Sequence, residues 1–141
     1  MGLIFQQKLT SEQPLATRLF ESAISKNQLA NAYLLVGDNQ EAKLDIARQL
    51  ACFLNCTAGK DASCLSGNVE ARSICQNCSW ISEGNHPQAW LTLDSGEGTK
   101  IPVEAARKLK EEFTKSSRYK RVAVVKEASA EIFHRPSANA L

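Results

Sequence analysis

Apolar positions recur along this chain with two different periods. Between about residues 11 and 28, Leu15, Leu19, Ala23 and Ile24 fall on one helical face. This predicts an amphipathic helix that Ser11 can cap and that tolerates Pro14 in its first turn. A short, fully apolar run, Tyr33-Leu34-Leu35-Val36, closes at Gly37 and predicts a strand buried on both faces of a parallel sheet. Ile46, Ala47, Leu50, Ala51 and Leu54 return to helical spacing and predict a second helix over about Lys43 to Asn55. A second strand is predicted over Ala89 to Leu93, approached through His86-Pro87, and a loop over Asp94 to Thr99. A helix from about 102 to 116 should start at Pro102 and turn Val103, Ala106, Leu109 and Phe113 inward. Val122 to Val125 reads as a third strand, and Ser129 to Leu141 as a loop and the start of another helix.

Strands alternating with helices predict an α/β fold, a parallel sheet flanked by helices and joined by right-handed crossovers. Residues 56 to 79 break that rhythm: they hold four of the five cysteines among Thr, Gly, Ser, Asp and Asn, so they read as an inserted module. At 141 residues the chain is sized for one domain, yet three strands make a thin sheet. The last helix has barely begun at Leu141, so the expectation is a fold incomplete at its C-terminal end.

Composition narrows the function only slightly. Seventeen Lys and Arg against fifteen Asp and Glu leave a net charge of +2, too small to imply a nucleic acid or a membrane surface as electrostatic partner. The run Arg118, Lys120 and Arg121 reads as the solvated approach to a buried strand rather than a DNA-binding patch. No stretch is long enough to span a bilayer and the N-terminus has no secretory pattern, so the cytoplasm is the expected compartment. There, cysteines are read as metal ligands or buried thiols before disulfides.

The loop after Val36 reads Gly37-Asp38-Asn39-Gln40-Glu41-Ala42-Lys43-Leu44. Against the phosphate-loop template G-x-x-x-x-G-K-[ST], Gly37 and Lys43 are in register. Ala42 replaces the second glycine, Leu44 has no hydroxyl for Mg²⁺, and Asp38 and Glu41 add negative charge where phosphate would bind. At the end of the third strand, Lys126 stands where an aspartate would hold Mg²⁺, although Glu127 follows. Gly37 and Lys43 therefore read as a vestigial phosphate loop, with ATP hydrolysis not expected. Taken alone, Gly37–Leu44 reads better as a plain strand-to-helix turn with a solvated lysine.

Cys56, Cys64, Cys75 and Cys78 follow C-x7-C-x10-C-x2-C, and Cys75-Gln76-Asn77-Cys78 is a knuckle that offers two thiolates to one Zn²⁺. A polar segment without its own apolar core needs such a staple, whereas unrelated free thiols usually sit in apolar settings. A structural zinc is the expected cofactor. Cys52 reads as a core thiol, and His86 as part of the turn Gly84-Asn85-His86-Pro87.

Taken in order, Asn31-Ala32-Tyr33-Leu34-Leu35-Val36-Gly37, Leu54-Asn55-Cys56, the knuckle, the Gly84–Pro87 turn, Ile101-Pro102-Val103-Glu104-Ala105-Ala106-Arg107, the Val122–Glu127 strand and Ser137-Ala138-Asn139-Ala140-Leu141 resemble one known family. It is the first AAA+ domain of the bacterial clamp loader, the family of DNA polymerase III delta-prime and gamma/tau subunits, and the likeness runs from about residue 13 to 141. The resemblance implies an N-terminal AAA+ nucleotide-binding-like domain over 1–141, with a zinc module at about 56–79 and with lid and collar domains absent. Cys56, Cys75 and Cys78 match the family's first, third and fourth zinc ligands. The second, normally three residues before the third, is Arg72 here, and Cys64 is the replacement. Loss of both metal-holding positions is similar to delta-prime, a non-hydrolysing subunit that helps load the sliding clamp onto primed DNA beside gamma/tau and delta. An ATP-hydrolysing gamma/tau-like motor and a free-standing zinc-binding interaction module are the alternatives.

Overall fold

Pro14 divides what the periodicity predicts as a single helix. The computed structural model of the chain describes residues 4–30, 32–57, 64, 74–93 and 103–125. Helix α1 spans Gln7–Glu12 and helix α2 spans Pro14–Ser25. Proline has no N–H to continue a helix and pushes its predecessor out of helical geometry, and Gln13 sits at φ −131°, ψ 63°. Ser11 therefore lies inside α1 and caps nothing. At the new helix start, the buried Thr17 hydroxyl donates to the Gln13 carbonyl at 2.9 Å. Past its end, the Gln28 N–H bonds the Ala23 carbonyl at 2.8 Å around Asn27 in left-handed geometry, φ 53°.

The predicted strand at Tyr33–Val36 does not form: among the described residues the sheet has two strands, neither from this run. Leu34 is 76% exposed and Val36 85%. Leu35 packs onto the core instead, and the Tyr33 ring lies 4.6 Å from that of Phe20 while its hydroxyl accepts the Ala30 N–H. These contacts lay the segment against the first unit's core, and among the described residues it has no strand partner.

Helix α3, Gln40–Asn55, begins three residues before its predicted start because the Asn39 side chain accepts the Ala42 N–H at 3.1 Å. The chain divides into two compact units, Met1–Asn85 and His86–Leu141. The core of the first joins Ile4, Phe5 and Leu9 to Phe20 of α2 and to Ala42, Ile46 and Leu50 of α3. The buried Gln49 side chain holds the N-terminal segment by accepting from the Gln6 N–H at 2.7 Å. A short helix α4, Gln76–Ser82, packs against α3, with Cys78 against Cys52, and fully buries its Ile81; the polar look of the cysteine segment gave no sign of it.

In the second unit, strand β1, Trp90–Leu93, and strand β2, Val122–Val125, pair in parallel with Trp90 opposite Val122 and Leu93 opposite Val125. Helix α5, Val103–Thr114, connects them and seals Ala106 against Leu93 and Val125. Phe113, expected to face inward, is 48% exposed and lies under the Arg121 guanidinium. That guanidinium donates to the carbonyls of Glu112 and Lys115 at the C-terminal end of α5, where cationic donors are favoured. Part of the basic run is thus absorbed by the fold. Among the described residues no helix is long and apolar enough to cross a membrane. The expectations for Arg72, the 94–99 loop, Lys126, Glu127 and the helix start after Ser129 fall outside the described residues.

Candidate metal centre

Helix α3 ends at Asn55, and Cys56 leaves it extended at φ −66°, ψ 132°. Helix α4 begins at the knuckle, with Cys75 as its cap: the Cys75 sulfur accepts the Cys78 N–H at 3.5 Å. Packing α4 on α3 brings Cys75 and Cys78 to the end of α3, and Cys64 joins them. The ligand atoms of Cys56, Cys64, Cys75 and Cys78 all lie within 4.8 Å of one another. Cys56 and Cys64 are 3.6 Å apart and Cys56 and Cys75 4.0 Å. A tetrahedron with Zn–S bonds of about 2.3 Å has sulfur-to-sulfur edges of about 3.8 Å, so the spacing suits such an ion.

The surroundings treat the sulfurs differently, favouring the thiolate at Cys75 and the thiol at Cys64 and Cys78. The Cys75 N–H points at the Cys64 sulfur at 3.4 Å, as the Cys78 N–H does at Cys75. Burial raises the Cys75 thiol, but hydrogen bonds from Thr57 and Cys78 outweigh it and bring the pKa down to about 6. Cys64 is pushed up, first by burial, and Cys78 is pushed up first by its hydrogen bond with the Cys52 thiol and then by burial. A soft tetrathiolate set of this kind could hold a metal ion, and its donors favour zinc over hard cations.

Cys52, read from the sequence as a core thiol, is fully buried. It nevertheless touches the cluster, because four residues along a helix places it on the same face as Cys56. That spacing was the available signal. Nothing in the sequence marked Asn77, whose amide donates to the Asn55 carbonyl at 3.0 Å.

Gly37 and Lys43 lie at the other end of α3. Gly37 adopts φ 150° with no atom within 4 Å of an added Cβ, so its backbone geometry, not crowding, calls for glycine. The Ala42 N–H, which faces outward at a helix start, is taken by Asn39. His86 is buried at 2% exposure, and its Nδ1 accepts the N–H groups of Gln88 and Ala89 at 3.1 and 3.0 Å.

A family model described as DNA polymerase III, delta subunit, matches residues 12–141. No curated protein matches the chain, and no solved structure does. With that match covering all but the first eleven residues, the chain belongs to the DNA polymerase III delta subunit family.

Proposed function

We propose that this chain is the AAA+ nucleotide-binding-like domain of a non-hydrolysing, delta-prime-type clamp-loader subunit, carrying a structural zinc on Cys56, Cys64, Cys75 and Cys78. Membership of the loader rests on the family match. The observation that carries the non-hydrolysing half is at the start of α3. There Asn39 closes on the Ala42 N–H, Leu44 offers no hydroxyl, and Glu41 adds negative charge to the first turn. A phosphate would have to displace the Asn39 cap and face that carboxylate.

Zinc, when bound, supplies a fixed tetrahedral crosslink and no reaction chemistry. Cys56 anchors it to the end of α3, Cys75 and Cys78 to the start of α4, and Cys64 to the intervening segment. The subunit's work in this reading is to present a rigid surface to gamma/tau and delta, and through the assembled complex to the sliding clamp and primed DNA.

The test is reconstitution. The chain, within its full reading frame, is mixed with purified gamma/tau and delta subunits and followed by size-exclusion chromatography and ATP turnover. Co-elution with the loader, with no turnover attributable to this chain, is expected. ATP hydrolysis by the chain alone that Lys43→Ala abolishes would instead establish a motor. Failure to co-elute despite correct folding would favour a free-standing zinc module.

A further inference from the structure

Cys52 and Cys78 face each other in the first unit. The Cys52 sulfur lies 3.8 Å from the Cys78 carbonyl oxygen, and the Cys78 sulfur lies 3.8 Å from the Cys52 carbonyl oxygen. Both residues are 0% exposed, so neither can borrow a hydrogen bond from water. With both thiols protonated this reciprocal arrangement is satisfied, because each S–H has an oxygen to face. Once Cys78 serves as a metal ligand its sulfur is a thiolate, which can only accept. The Cys52 S–H, already held against the same residue at its carbonyl, is then the donor that can turn towards that sulfur by rotation about its Cβ–Sγ bond.

We propose that Cys52 is a positioning residue of the metal centre, its S–H turning from the Cys78 carbonyl to the Cys78 sulfur and holding that ligand in place. The inference rests on the reading that the four cysteines bind a metal. Cys52 itself is not a ligand. Its position on α3, one helical turn before Cys56, fixes the donor relative to the cluster without involving the polar segment between Cys56 and Cys75. A hydrogen bond onto a ligating sulfur draws electron density from it, which orients the ligand and lowers the charge it carries.

The experiment loads the protein with Co²⁺, whose thiolate charge-transfer band reports the electron density on sulfur, and compares Cys52→Val, which removes the donor and stays apolar, with Cys52→Ser, which keeps a donor. Cys52→Val is expected to lose about 10- to 100-fold in Co²⁺ affinity and to shift the charge-transfer band to lower energy. Cys52→Ser should retain the wild-type affinity and band position. A role in packing alone would leave Cys52→Val like wild type in both readouts, and that result overturns the proposal. If Cys52→Val does not fold, by circular dichroism of the metal-free protein, the comparison of Cys52→Ala with Cys52→Ser decides in the same way. Wild-type protein that takes up no Co²⁺ would sink the metal reading and this inference together, whereas a loaded wild type with an indifferent Cys52→Val sinks the inference alone.

Discussion

The side-chain amide of Asn77 reaches the backbone carbonyl of Asn55 across 3.0 Å, tying the middle of the cysteine knuckle to the last residue of α3. Asn55 is itself buried and donates to the Ala51 carbonyl at 2.9 Å. The segments bearing Cys56 and Cys78 are thus fastened by groups other than sulfur. Replacing Asn77 with Ala should destabilise the metal-free protein by about 1 kcal/mol in urea titrations and weaken zinc uptake measurably. An unchanged midpoint and unchanged uptake would mean that this bond positions nothing.

Freshly reduced protein purified without chelator should contain about one zinc per chain. Cys75→Ser and Cys78→Ser should each bring the zinc content close to zero, because each removes one arm of the knuckle. Cys52→Ser should keep it. Elemental analysis of the three variants against wild type distinguishes these outcomes, and zinc persisting in either knuckle variant would point to a different ligand set.

His86 makes stability depend on pH. Burial lowers its pKa, so the folded state binds the proton less readily than the unfolded chain, whose value is about 6.5. Its contribution is therefore fully present above about pH 6.5 and drains away as pH falls through the lowered folded value. His86→Ala leaves two N–H groups without their acceptor and should cost about 1–3 kcal/mol at pH 8. At pH 5 the difference from wild type should shrink. A gap between the two proteins that stays constant from pH 8 to pH 5 would show that His86 does not titrate with folding.

The two apolar positions Phe20 and Leu34 should respond very differently. Phe20 is 5% exposed and edges onto Phe5, so Phe20→Ala should cost about 3–5 kcal/mol. Leu34 is 76% exposed, so Leu34→Ser should change stability by less than about 0.5 kcal/mol. Thermal melts of the two variants provide the check. A large loss from Leu34→Ser would restore the buried strand that the apolar run suggested.

At the start of α3, Asn39→Ala should cost about 1 kcal/mol through loss of the cap. It should not create ATP affinity, since Leu44 still lacks a hydroxyl. Calorimetry showing micromolar ATP binding to Asn39→Ala and not to wild type would mean that the cap alone closes the site.

These contrasts show what the sequence could carry. The two strands found among the described residues, their parallel pairing and α5 were legible because Trp90–Leu93 and Val122–Val125 are apolar runs flanking a helical period. Tyr33–Val36 has the same local signal but lies alongside helices, and an apolar run of four does not state what covers it. Pro14 does not by itself mark a break, because one proline in a helical period can begin a helix or end one. The gathering of Cys56, Cys64, Cys75 and Cys78 followed from type and spacing. The supports from Asn77 and Thr57 did not, because hydrogen bonds that depend on how the chain packs around the cysteines leave no mark on the linear order.

Helix α3 has 16 residues, so it runs for about 24 Å as one stiff rod. The turn at Gly37–Asn39 and the sulfurs at Cys52 and Cys56 are the two ends of that lever. Any roll of the rod about its axis that moves the two cysteines sweeps Lys43 through the same angle, with no relay of side chains between them. Amide hydrogen exchange in the first turn of α3 should therefore slow when zinc binds at the far end. Identical exchange with and without zinc would show a lever that bends before it transmits.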